Sequence, residues 1–184
     1  PEPLELDIVN GWTVLHEAAA RGHVAMTRFL LSFPEYARLV TERSTQETSM
    51  CSIQLAISNG HVETFKLLWA QLESTGERES WLQGHASLDR YGWSILGWAV
   101  HSGEIAAVDH ILSLKLPELD IHSETPPVIT AALTKGNIPL IRHLIDLGAN
   151  PNQHSERHHN PLISAVRRGL LDVTKTLVEY GKAD

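Results

Sequence analysis

The chain is poor in the residues that would tie it to several common functions. It has one cysteine, Cys51, so no internal disulfide can form, and a reducing compartment is the natural expectation. No apolar run approaches the roughly 20 residues that a bilayer span needs, and no basic-then-apolar leader opens the sequence, so neither membrane insertion nor secretion is signalled. Basic residues are scarce: 15 Lys and Arg stand against 22 Asp and Glu, a net charge of −7, whereas nucleic-acid binding needs clustered cations. Aromatic residues make up only 6% of the chain, and tryptophan, with five, is the commonest of them against three Phe and three Tyr. A content of 42% hydrophobic and 20% charged residues is that of a folded chain with a core.

What is present is a repeat. "NGWTVLHEAAARGHV" (10–24) aligns without a gap on "YGWSILGWAVHSGEI" (91–105), pairing Trp12 with Trp93, Leu15 with Leu96 and Gly22 with Gly103. Five glycines, Gly22, Gly60, Gly103, Gly136 and Gly169, recur at spacings of 38, 43, 33 and 33, each between two short helical patterns. After Gly22, Val24, Thr27, Leu30 and Leu31 form one apolar stripe. Thr13 and Ser94 are placed to cap the first helices, accepting an otherwise orphan backbone N–H. Gly22 ends its helix because a left-handed residue without Cβ carries no steric penalty. Ala18, Ala19, Ala56, Ala99, Ala132 and Ala165 keep the first helices thin, so that neighbours approach closely.

This pattern resembles the ankyrin repeat, whose signature runs G-x-T-P-L-H-x-A-A-x-x-G-H. "GWTVLHEAAARGHV" matches nearly throughout, "DRYGWSILGWAVHSGEI" well, and "CSIQLAISNGHVETFKLL" in its second half. "GNIPLIRHLIDLGANPN" and "GLLDVTKTLVEYGKAD" resemble second helices running into the family's hairpin entry. The resemblance implies an all-α solenoid of helix-turn-helix units with short hairpin loops, a single domain over 1–184. Its five repeats fall at about 8–42, 46–80, 89–120, 122–154 and 155–184. The two long spacings place longer inter-repeat loops at about 32–49 and 70–88, and the ending "GKAD", where a next hairpin would start, suggests further repeats or domains in the full-length chain.

Ankyrin repeats generally bind proteins through a groove lined by hairpin tips and first-helix inner faces. Carried over position by position, that groove is lined by Trp12 and Trp93, with Met50, Pro126 and His159 in equivalent places, and by Glu17, Leu55, Trp98, His101, Ala131, Lys135, Arg167 and Arg168. The resulting partner-binding set is Trp12, Glu17, Trp93, Trp98, His101, Lys135, Arg167 and Arg168. It is aromatic around repeats one and three and basic toward the C-terminus, which suits a partner with an apolar segment followed by acidic residues. Trp69 reads as core, and Trp81 as a pin for its long insertion.

Eleven histidines invite other chemistry. His16, His23, His61, His110 and His143 sit at structural positions. His154, His158 and His159 gather on a hairpin tip, but three imidazoles without a nearby Cys make a poor zinc set, so no metal or cofactor is assigned. No Ser-His-Asp order, phosphate loop or dinucleotide glycine pattern is present, so no catalytic residue is named. The leading expectation is a protein-interaction module of a longer intracellular protein, cytoplasmic or nuclear. The alternative is a small-molecule-binding or catalytic ankyrin-like protein using the Trp/His-lined groove, and a third reading is a spacer that binds nothing specifically.

Overall fold

The computed structural model describes residues 11–44, 49–83, 93–117, 119–122, 127–154 and 159–184. The chain divides into two compact units, residues 1–91 and 92–184. The first contains α1 (Val14–Ala20), α2 (Val24–Leu31), α3 (Pro34–Ala37), a 3₁₀ turn (Arg38–Val40), α4 (Ser52–Ser58), α5 (Val62–Ser74) and α6 (Arg78–Gln83). The second contains α7 (Ile95–Ser102), α8 (Ile105–Ser113), α9 (Val128–Ala132), α10 (Ile138–Asp146), α11 (Pro161–Arg167) and α12 (Leu171–Glu179).

Each unit is a stack of antiparallel helical hairpins. In the first, α1 packs on α4 and α2 on α5; in the second, α7, α9 and α11 follow one another, with α10 against α12. Gly22 and Gly103 adopt φ of 68° and 82° at the hairpin turns, which a side chain would resist. The core is made of the facing helices: Leu15, Ile53, Ile57, Phe65 and Leu68 in the first unit, and Leu96, Val108, Ile111, Ile129, Leu140 and Leu144 in the second.

Polar side chains tie one hairpin to the next. His61, just past Gly60, lays its ring over Gly22 and bonds the Ala20 carbonyl through Nε2 at 3.1 Å. Asn137, just past Gly136, donates to the Gly103 carbonyl at 2.8 Å while its Oδ1 caps α10 at Leu140 N. His143 on α10 reaches Asp109 on α8 at 2.6 Å.

Thr13 caps α1 as its sequence position requires, accepting from His16 N at 3.3 Å. His16 answers by accepting the Thr13 N–H on Nδ1 at 3.1 Å, which leaves the proton on Nε2 to donate to the Glu42 carbonyl at 2.9 Å. In α4 the same position is Gln54, whose Oε1 accepts from Cys51 N at 3.0 Å. Residues 50–57 are all buried, so α4 is the centre of the first unit, with the free Cys51 thiol inside it.

The stretches 32–49 and 70–88, expected as loops, hold helical structure in their described parts. Pro34 opens α3 at a position where its missing N–H costs nothing. Phe33 lies edge-on to Phe29 and Tyr36, with centroids 5.1 and 6.2 Å apart. The helix α5 continues to Ser74, and Glu73 then accepts from both Trp69 Nε1 at 3.1 Å and Arg78 at 3.0 Å. This turns α6 back so that Trp81 meets Trp69 edge to face at 6.3 Å, while Trp69 stacks on Phe65 at 5.6 Å. Both indoles are buried: Trp69 is core, and Trp81 anchors the insertion. Residues 84–88 lie outside the described residues.

Two stability predictions follow from these bonds. His61→Ala removes the tie to Ala20 and is expected to cost about 1–2 kcal/mol in urea unfolding, and Asn137→Ala, which loses a cap as well, at least as much; an unchanged midpoint for both would count against the inter-hairpin ties. Burial, chiefly, holds the His16 imidazole below its ordinary value, outweighing the Glu42 carbonyl that raises it. A second proton would also set Nδ1–H against the Thr13 N–H. The unfolded imidazole titrates near 6.5, so below that pH the unfolded chain takes up the extra proton, and stability falls as pH drops from about 6.5 toward the lower folded value. His16→Gln, which copies the cap used by α4, should flatten this acid slope in unfolding measured from about pH 7.5 to about 5.5.

Candidate functional site

In the second unit the sequence builds a cluster of three rings. Ser94 caps α7, its hydroxyl accepting from Gly97 N at 3.2 Å. Trp93 precedes the cap and Trp98 is the fourth residue of the helix, the two positions that close over a helix start as a hydrophobic staple. Their centroids are 4.9 Å apart. His101 follows Trp98 by three residues on the same face and stands edge-on to both indoles, 5.2 Å from Trp93 and 5.1 Å from Trp98. The exchange of His16 and Glu17 for Gly97 and Trp98 therefore removes the His16 half of the capping pair and gives α7 an apolar closure instead.

The next hairpin brings the polar partners. Thr134 donates to the Ala131 carbonyl at 2.8 Å, and its oxygen meets His101 Nδ1 at 3.3 Å. Lys135 donates to the Ser102 carbonyl at 2.6 Å. Burial first, and the Lys135 ammonium second, hold the His101 imidazole below its ordinary value, so it is neutral at pH 7. Among the described residues the Trp98 N–H is buried without a partner.

The eight expected partner-binding residues are distributed unevenly. Trp93, Trp98, His101 and Lys135 come together, but Trp98 is only 9% exposed and Trp93 half-buried, so the accessible surface is the edge of the cluster. Arg167 and Arg168 are exposed at the end of α11, Arg167 held by His159 Nε2 at 2.6 Å. Trp12 and Glu17 belong to the first unit, where Trp12 is half-buried and Glu17 pairs with Arg21 one turn along α1. Met50, Leu55 and Ala131, expected to line the groove, are core residues instead. Pro126 and His158 lie outside the described residues, and His154 is exposed.

Sequence reasoning treated Trp98 as a surface group; the Trp93-Ser94-x-x-x-Trp98 spacing was the available sign that it closes its own helix. A second cluster went unnoticed: Arg142 lies 5.3 Å over the Tyr180 ring, and the Tyr180 hydroxyl donates to Asp146. A cleft of ≈ 410 Å³ lies in the first unit among Leu31, Pro34, Val40, Gln71, Leu72 and Thr75, and touches none of the eight residues.

Comparison with known proteins settles the family. The family model described as ankyrin repeats (3 copies) matches residues 2–75 and 96–184. The chain belongs to the ankyrin repeat family. The crystal structure of the human ASB11 ankyrin repeat domain is similar with a TM-score of 0.66 and 24% identity, over 92% of this chain and 69% of that one. The fold is the all-α ankyrin-repeat solenoid. Alpha-latroinsectotoxin-Lt1a of Latrodectus tredecimguttatus is 32% identical over 77 residues, 40% of this chain but 5% of the toxin. The chain thus spans a small fraction of that relative. Ankyrin repeats generally serve as protein-interaction modules, and among the described residues no helix is long and apolar enough to cross a membrane.

Gly97 offers a test of how the ankyrin helix α7 is held. A Cβ there would meet Trp93 Cβ at 3.5 Å and Ser94 Oγ at 3.9 Å, ordinary contact distances. Gly97→Ala should therefore raise stability by about 0.5–1 kcal/mol through helix propensity alone. A lower thermal midpoint would mean that the Trp93–Trp98 closure depends on the glycine.

Proposed function

We propose that this protein is an intracellular protein-recognition module, part of a longer cytoplasmic or nuclear polypeptide. Its second unit holds a partner segment that is apolar at one end and acidic at the other. The observation that carries this reading is the Trp93, Trp98 and His101 ring cluster with Lys135 bonded at its edge and Arg167 and Arg168 exposed on the following hairpin. The half-buried Trp93 supplies rigid apolar area at low entropic cost, and the cations supply charge that a carboxylate-bearing chain answers. His101, neutral at pH 7, adds a ring edge without adding positive charge. On the first unit, taken by itself, Trp12 and Glu17 are the residues proposed to touch a partner. A single buried cysteine, at the N-cap of α4, fits a reducing compartment.

Selection of a random peptide library on the immobilised chain tests the reading. Enriched peptides are expected to carry an aromatic or aliphatic residue followed by Asp or Glu. Arg168→Glu, at an exposed site, should weaken their binding on the order of tenfold or more, a loss that added salt reproduces. Trp98→Ala is a poor probe, since removing a buried indole costs about 3–5 kcal/mol of stability; Trp93→Ala is the better aromatic test. Enriched peptides without acidic residues, bound equally by the Arg168→Glu variant, would sink the proposal.

A further inference from the structure

Apolar side chains are exposed at positions whose equivalents elsewhere in the array are buried. Val166 stands three residues before Gly169 and is 60% exposed. Ala19, Val100 and Leu133 stand three before Gly22, Gly103 and Gly136, and each is fully buried, on helices or turns that α4, α9 and α11 pack against. Ile163, one turn before Val166 on α11, is exposed where His16 and Gln54 are buried, and Leu171 is exposed where Val24, Val62, Ile105 and Ile138 are half-buried. This face of α11 and α12 is therefore built like the faces that a following hairpin covers.

The first unit shows the mirror case. Met26, four residues after Gly22, is 53% exposed, whereas Thr64 and Val173, at the same place on helices that pack against a preceding second helix, are buried. Val14, eight before Gly22, is 48% exposed, while its equivalents Ser52 and Val128 are buried. The polar tie repeats the pattern. His61 and Asn137, each following the hairpin glycine, bond back to the preceding turn, but His23 in that position is exposed and caps nothing.

We propose that both faces are interior stacking faces: Val14, His23 and Met26 receive one further ankyrin-type hairpin before α1, and Ile163, Val166 and Leu171 receive another after α12, both continuous with this array. The buried equivalents define the occupant chemically, as a helical pair bearing small and aliphatic residues, with a hydrogen-bonding side chain after its own glycine on the α12 side. The inference rests on packing and is independent of the partner-binding reading.

Extension of the chain tests it. A copy of residues 119–154 fused after Asp184 places its Gly136 33 positions beyond Gly169, the spacing of the two preceding hairpins. A copy of residues 115–147 placed before Pro1 sets the same interval ahead of Gly22. Amide exchange in α11 and α12 is expected to slow on the order of tenfold in the first fusion and in α1 and α2 in the second. Val166→Lys should cancel the first gain and Met26→Lys the second, while neither changes the unextended chain, where both side chains are exposed. No gain in protection, or a gain that survives these substitutions, overturns the proposal. Concentration-dependent self-association of the unextended chain, abolished by either substitution, overturns it too, because the faces would then belong to second copies.

Discussion

Stacking at two of the turns, Gly22 and Gly103, depends on one short-range arrangement: a left-handed glycine between two antiparallel helices, closed over by a side chain from the next hairpin. At Gly22 the closure is the His61 ring, which approaches so near that a Cβ on the glycine would lie 2.6 Å from it. The same side chain makes the bond to Ala20. Turn geometry and inter-hairpin adhesion thus meet at one place, and a side chain on Gly22 would displace the His61 ring that makes the tie. Asn137 and Lys135 repeat the arrangement around Gly103 with different chemistry, as their bonds to the Gly103 and Ser102 carbonyls show. These two turns share the geometry of the bond and differ in the group that makes it, whereas Leu170, in the place of His61 and Asn137, leaves Gly136 uncovered.

Much of the fold was legible because its determinants are local. Thr13 and Ser94 announce helix starts, the five glycines announce turns, and the apolar stripe after Gly22 announces the second helix. The helices inside 32–49 and 70–88 were missed because charge and turn-forming residues dominate those stretches. Ring contacts accompany them: Phe33 meets Phe29 locally, and Trp81 packs back on Trp69 across the turn between α5 and α6. A pattern of polarity cannot register a ring that finds its partner across an insertion.

The candidate site was legible in part for the same reason. Spacing from the glycines put Trp93, Trp98, His101 and Lys135 near one another, and they do gather. Spacing could not tell which ring would be covered, and Trp98 is spent largely on closing its own helix. The exposed cations lie at hairpin ends, where side chains have few neighbours to bond.

Cys51 has a practical consequence of its own. As the chain's one cysteine, it sits fully enclosed at the start of α4, and burial raises its thiol above the ordinary value, so it is protonated and shielded from reagents. Alkylation can then proceed only through opening of the most enclosed helix of the first unit. The protein carries a built-in chemical clock, whose rate reports how often that unit breathes.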